Sequence, residues 1–235
     1  MISVERVNKI KGRAQILYDV SFVAQPGRVT GFLGPNGAGK TSTLRVLLGL
    51  DRPKSGAALV CGHPYASLKR PLTTVGALLD GSGAHRARSA RGHLRWVAAS
   101  NGLPDSRVDE VLETVGLAGE ARKRAGRFSL GMSRRLGLAA ALLGDPEVLI
   151  LDEPVNGLDP AGIRWMRDFL RDRAARGNTV LLSSHLMGEL AEIADDVVVI
   201  DKGHIVTQGT LAEVVGGHGS LEDAFFALTA GGGPW

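Results

Sequence analysis

One octapeptide restricts the fold of this chain more than any other stretch. Residues 34–41 read Gly34-Pro35-Asn36-Gly37-Ala38-Gly39-Lys40-Thr41 and meet the pattern G-x-x-x-x-G-K-[ST] at every fixed position. Residues 29–33 before it read as a short apolar strand. Residues 42–50 after it place Leu44, Leu47 and Leu48 at helical spacing. Strand, glycine loop and helix in that order make a cradle for an anion. Three glycines let backbone N–H groups curl around phosphate oxygens, and the following helix turns its positive end toward the same charge. Lys40 is long enough to reach β- and γ-phosphates, and the Thr41 hydroxyl can ligate Mg²⁺. A glycine-rich turn with no ligand is the bland alternative, and the flanking strand and helix argue against it.

The rest of the chain reads as α/β. Strands are expected at residues 4–7, 16–17 and 20–23, with Pro26-Gly27 as a turn, and again at 57–61 and 75–79. A loop runs from residue 80. Three helical patterns follow: from Ser89, with Leu94, Val97 and Ala98 on one face; over 105–115; and from Ser129 to Leu143. Residues 81–144 thus predict a helical insertion between two strands of an α/β core. Beyond it come a buried strand at 148–151, a helix at 160–176 with Pro160 in its first turn, and a strand at 179–182. A helix at 186–193, strands at 197–200 and 205–207, and helices at 211–215 and 221–228 complete the pattern. The glycine-rich end from residue 230 is expected to be loose.

Composition narrows the class. An apolar fraction of 44% supports a sizeable core, and no apolar run approaches the ~18 residues that cross a bilayer. The opening residues Met1-Ile2-Ser3-Val4-Glu5 lack the apolar core of a secretion signal. Cys61 is the only cysteine, which excludes an internal disulfide and fits a reducing cytoplasm. The net charge of +4 is mild but uneven, with eleven Lys and Arg against five Asp and Glu in residues 81–144. Arg86, Arg88, Arg91 and Arg95, then Arg122, Lys123, Arg124 and Arg127, could meet nucleic acid. Only Trp96 and Phe128 are there to stack on bases, so a solvated face is the competing reading and no nucleic acid is expected.

A phosphate loop alone names no reaction; Asp152-Glu153 narrows it. Asp152 ends an apolar strand, where ligands bind in open α/β sheets, and can hold Mg²⁺ through water. Glu153 follows directly and would face the γ-phosphate, where a carboxylate can orient a water and take its proton. Two acids that merely begin a solvated loop are the alternative.

With these motifs in order, the chain resembles the nucleotide-binding subunit of an ATP-binding cassette (ABC) transporter over nearly its whole length. Residues 34–42 resemble Walker A and 148–153 Walker B; Asn156-Gly157-Leu158-Asp159 resembles the D-loop. His185 matches the switch histidine, and Ser129-Leu130-Gly131-Met132 resembles the signature, whose commoner form is Ser-Gly-Gly-Gln. The resemblance implies an α/β fold: a P-loop NTPase (RecA-like) core with an N-terminal antiparallel β subdomain and an inserted helical signature subdomain. It is a single domain, with core and β region at about 1–84 and 145–218, the helical part at about 85–144 and a short C-terminal helix at about 219–229.

The implied activity is ATP hydrolysis that powers export through a separate permease, with ATP and Mg²⁺ as cofactors. Gly34, Pro35, Asn36, Gly37, Ala38, Gly39, Lys40, Thr41 and Ser42 would cradle the nucleotide, and Thr41, Asp152 and Asp80 the metal. Glu153, His185 and Lys40 would carry the chemistry. Two copies would sandwich two ATPs, with Ser129 and Gly131 of one chain on the γ-phosphate held by the other and Asp159 passing information between sites. The implied partners are a permease and a second nucleotide-binding subunit, as a homodimer, and the place is the cytoplasmic side of the cell membrane, peripherally bound. A helical subdomain facing the permease would also lie near an anionic inner surface.

Three positions depart from the family pattern. Leu130 and Met132 replace glycine and glutamine, as in exporters of drugs, antibiotics and lipids that have separate permeases. Asp80 stands at the usual glutamine of the Q-loop. Lys11, or Ile10, stands where an aromatic residue normally stacks on adenine. The alternatives are a soluble ABC-type ATPase acting on ribosomes or nucleic acid, disfavoured by the single cassette and lack of a coiled-coil insertion, and a non-hydrolysing module, disfavoured by Glu153 and His185.

Overall fold

The chain opens with two long antiparallel strands, β1 (Ile2–Lys11) and β2 (Ala14–Ala24), where the sequence pattern suggested three short ones. This computed structural model describes residues 1–79 and 83–230, and the chain divides into two compact units, Met1–Leu68 with the chain from Phe169 onward, and Lys69–Asp168. In the first unit β2 bends at Asp19 without ending. Asp19 has φ +52° and Arg6 of β1 has φ +47°, and the strand register shifts on both sides of Val7. Side chains satisfy the bulged backbone: the Asp19 N–H donates to Asn8 Oδ1 at 3.1 Å, Asn8 Nδ2 donates to Asp19 Oδ1 at 3.1 Å, and the Arg6 N–H donates to Ser21 Oγ at 2.8 Å. Next come β3 (Val29–Leu33), α1 (Lys40–Leu47) and β4 (Ser55–Val60). β4 completes a three-stranded antiparallel sheet in the order β2-β1-β4.

The second unit holds α2 (Pro71–Thr74), β5 (Val75–Leu78), α3 (Ala90–Ser100), α4 (Ser106–Thr114), α5 (Leu130–Leu142), β6 (Val148–Asp152) and the start of α6 (Pro160–Ala175). The three expected helices of the insertion form, each beginning one residue later than the pattern suggested. For α3 and α5 the reason is capping, whereas the Asp105 side chain before α4 makes no capping bond. Ser89 Oγ accepts the Gly92 N–H at 3.1 Å, and Ser129 Oγ accepts the Met132 N–H at 3.2 Å, so both serines stand just outside their helices. β5 and β6 are parallel, with Leu78 opposite Leu151. Residues 86–91 pair along 121–126, the Ala90 N–H donating to the Lys123 carbonyl and the Ala125 N–H to that of Arg88. Four of the eight basic side chains named above have local partners. Arg91 pairs with Asp109, Arg95 with Asp105 and Lys123 with Glu120, and the Arg88 guanidinium lies 4.6 Å from the centre of the Trp96 ring.

On α3, His93 is 4% exposed and its Nδ1 has no hydrogen-bond partner. Burial, and then the Arg88 charge, push its pKa below the ordinary value. A histidine held neutral in the folded state adds stability above the unfolded value of about 6.5 and loses it as pH falls below that. Melting temperature is therefore expected to decline as pH falls below about 6.5. His93→Leu should flatten that decline; an unchanged slope would place its origin elsewhere.

The chain returns to the first unit with β7 (Thr179–Ser184), α7 (Met187–Ala191), β8 (Asp196–Asp201), β9 (His204–Thr210), α8 (Leu211–Val215) and α9 (Leu221–Ala230). β3 lies between β7 and β8, parallel to both, and β9 runs back antiparallel on β8. β3 and β7 are buried at every residue, their polar Thr30, Thr179, Ser183 and Ser184 included. The Phe22 and Phe32 rings stack at 5.1 Å and join the antiparallel sheet to the parallel one. β8 starts at Asp196, a residue earlier than expected, because that residue pairs with Thr30 and Thr210 on the neighbouring strands, and Arg28 grips its carboxylate with two bonds of 2.6 Å. The architecture is the expected RecA-like P-loop core, with an N-terminal antiparallel sheet and a helical insertion of α3 to α5.

Candidate functional site

β3 delivers the chain into the glycine loop and α1 carries it away. Two glycines there have no substitute. A Cβ on Gly34 would lie 2.3 Å from the Ile200 carbonyl oxygen, and one on Gly39 would lie 2.6 Å from Leu17 Cδ2, at a φ of +111°. Gly39 is the N-cap of α1 and offers no side chain to the first turn, so the helix end faces the loop with its own backbone dipoles. The Ala38 N–H bonds the Pro35 carbonyl at 3.1 Å, folding 35–38 into a turn, with Pro35, Asn36 and Gly37 exposed. Lys40 is only 6% exposed, and its Nζ donates to the Gly34 carbonyl at 2.6 Å and to that of Pro35 at 3.3 Å. The ammonium group thus lies across the loop. Thr41 is exposed and Ser42 half-buried on the first turn of α1.

His185 stands beside this loop through strand register. Leu33 is paired with Ser184, and Gly34 and His185 directly follow the paired ends of these two adjacent parallel strands. Ser184 Oγ accepts the Leu186 N–H at 2.9 Å and shapes the turn His185 occupies. The β8–β9 turn also reaches the loop, which the sequence pattern did not reveal. The Gly203 N–H donates to the Ala38 carbonyl at 2.9 Å, and the Tyr18 N–H donates to the Gly203 carbonyl at 2.9 Å. The Tyr18 ring stacks on His204, centroids 4.5 Å apart and 7° from parallel.

That stack bears on the missing adenine-stacking aromatic. Lys11 is exposed at the end of β1, paired with Ala14, and Ile10 beside it is 41% exposed. Tyr18, the nearest aromatic, is engaged by His204. Base–aromatic stacking is worth about 1–3 kcal/mol, and a lysine stem covers only part of a ring. Dissociation constants for ATP and GTP are expected to be nearly equal in the wild type. Lys11→Tyr should tighten both by roughly five- to a hundredfold. A strong wild-type preference for ATP would mean that another residue reads the base.

In the second unit, Asp152 ends β6 and is 5% exposed. Glu153 is half-buried with φ +51°, a left-handed conformation uncommon outside glycine and concentrated at functional sites. The Asn156 N–H closes on its carbonyl at 3.2 Å. Asp80, expected just beyond β5, lies outside the described residues. Thr41 and Asp152 supply a hydroxyl and a carboxylate, the hard oxygen donors Mg²⁺ takes. No group of three or more His, Cys, Asp or Glu able to hold a metal occurs among the described residues. Mg²⁺ keeps several waters and binds substrate phosphates, and the Thr41 hydroxyl and the Asp152 carboxylate, each taken by itself, are chemically suited to it.

Ser129, Gly131 and Asp159 meet in the second unit around a cavity of about 620 Å³, which Met132, Arg135 and Gly157 also line. Ser129 caps α5. Asp159 Oδ1 accepts the Gly162 N–H at 2.8 Å near the start of α6, so a capping role accompanies any part it has in nucleotide binding. Both are exposed.

Residues 17–156 match the family described as ABC transporter. The chain is 41% identical over 210 residues to the uncharacterized ABC transporter ATP-binding protein YhcH of Bacillus subtilis (strain 168), covering 88% of this chain and 68% of that protein. It is 40% identical over 211 residues to the bacitracin transport ATP-binding protein BcrA of Bacillus licheniformis, covering 88% and 69%. A solved ATP-binding subunit of an ABC transporter superposes with a TM-score of 0.88 at 26% identity, covering 97% of this chain and 99% of that one.

Proposed function

Because the chain belongs to the ABC transporter family, whose ATP-binding subunits bind and hydrolyse ATP to drive transport, we propose that it powers an exporter, bound peripherally at the cytoplasmic face of the cell membrane. The observation that carries this reading is the phosphate loop after β3, with Leu33 paired to Ser184 just before His185, which supports the switch role proposed for that histidine. A relative named for bacitracin transport and another named for Nod factor export, 38% identical over 213 residues, support this reading. Among the described residues no helix is long and apolar enough to cross a membrane, and the proposed path for cargo is a separate permease.

In the proposed mechanism residues 34–42 wrap the triphosphate and Lys40 bonds its β- and γ-oxygens. Thr41 and Asp152, with Asp80, would hold Mg²⁺, which when bound offsets phosphate charge. Glu153 takes the proton of the attacking water, and His185 bonds the γ-phosphate and holds that water. A second copy of the chain supplies Ser129 and the Gly131 N–H from the start of α5, a helix end suited to an anion. Asp159 links the two sites.

The test is cross-linking. In Ser42→Cys/Ser129→Cys protein, two chains are expected to join only with ATP bound. Cross-links that ignore ATP, or form within one chain, would overturn the sandwich. Tagged protein drawn from membranes should bring a polytopic membrane protein with it; ribosomes or nucleic acid in its place would overturn the exporter reading.

A further inference from the structure

Leu130 takes the place of a glycine in the commoner signature, and its side chain comes to rest on the D-loop. A Cβ built on Gly157 would lie 2.3 Å from Leu130 Cδ2 and 2.7 Å from its Cγ. Leu130 therefore occupies the space a side chain at position 157 would need. In return, a Cβ on Gly131 would lie 3.1 Å from the Gly157 carbonyl oxygen and 3.5 Å from Leu158 Cδ2. Leu130 remains 61% exposed, so this contact lies at the rim of the cavity and not in the core.

We propose that Leu130 and Gly157 form a steric latch that positions the D-loop against the signature helix, so that the starts of α5 and α6 move together. Each of those starts carries a capping residue assigned above to the nucleotide: Ser129, bonded by the Met132 N–H, and Asp159, bonded by the Gly162 N–H. Further along, Arg135 of α5 donates to the Val115 carbonyl at 3.2 Å and sets its guanidinium 5.1 Å from the centre of the Trp165 ring on α6. The two helices are thus fastened at two levels. With only the Arg135 level, α6 could swing about that point and carry Asp159 away from Ser129. Leu130 and Gly157 are positioning residues; the functional consequence rests on the sandwich reading, whereas the latch itself is a property of one chain.

Hydrogen exchange at the Gly162 amide reads the latch, because that N–H is held by Asp159. Leu130→Ala should speed its exchange, although residue 130 lies far from 162 in sequence. Leu130→Met, which keeps a long apolar side chain, should not. Gly157→Ala should also speed exchange, through the clash and through its φ of +77°. In Leu130→Ala/Gly157→Ala the clash is gone, so exchange should fall short of the product of the single effects by about threefold or more, as for residues in contact. Effects that multiply, or a Leu130→Ala amide that exchanges as in wild type, would overturn the latch. If Gly157→Ala does not fold, the Leu130→Ala and Leu130→Met pair decides alone. ATP-dependent cross-linking is scored separately, so a failed sandwich with intact exchange coupling leaves the latch standing, and the reverse removes only the latch.

Discussion

Glu153→Gln is expected to hydrolyse ATP about 10²–10⁴-fold more slowly than the wild type, the usual worth of a positioned base, while binding ATP with little change. Glutamine keeps the size of glutamate and its hydrogen-bonding carbonyl but cannot take a proton. Because glutamine matches glutamate in size and shape, the substitution should leave the loop, with its φ of +51° at this position, in place. ATP-bound dimers should accumulate, because the step that consumes ATP is the one removed. Single-turnover hydrolysis and size-exclusion chromatography with ATP read the two halves of this expectation. Wild-type turnover would dismiss Glu153 as the base; loss of ATP binding would make it a binding residue.

Lys40→Ala should weaken ATP binding by roughly tenfold to a hundredfold, since hydrogen bonds to charged groups contribute about 1.5–3 kcal/mol. A second effect follows from the geometry. The Lys40 ammonium also bonds the Gly34 and Pro35 carbonyls; alanine removes that donor from both, and although Pro35 keeps the Ala38 N–H, the Gly34 carbonyl loses its bond beside a buried strand end. The nucleotide-free variant should therefore melt lower than the nucleotide-free wild type. A variant with unchanged melting and weakened binding would mean that those carbonyls find other donors. Unchanged affinity would exclude Lys40 from phosphate contact.

The elements that organise this molecule are legible because their causes are local. Residues 34–41 state their own loop, and the apolar run at 148–151 of β6 states its burial. Where local pattern failed, distant atoms decided. Tyr18-Asp19 reads as a strand break, yet Asn8 bridges the bulge from the neighbouring strand. Ser89 and Ser129 read as helix starts, and only their hydrogen bonds show them to be caps. His185 is an isolated histidine until the register sets it beside Gly34. The approach of Gly203 to Ala38, and of Leu130 to Gly157, leaves no trace in spacing, because each joins segments remote in sequence.

The cap at Ser129 limits what evolution can write there. Its oxygen already accepts the Met132 N–H, yet a hydroxyl keeps its own proton to give away. The same atom can thus end a helix and greet a phosphate at once. Aspartate would end the helix equally well but would meet the phosphate with like charge, and alanine would do neither. Threonine alone among close substitutes keeps both faculties, so tolerance at this position should divide by the availability of a hydroxyl proton and not by capping strength.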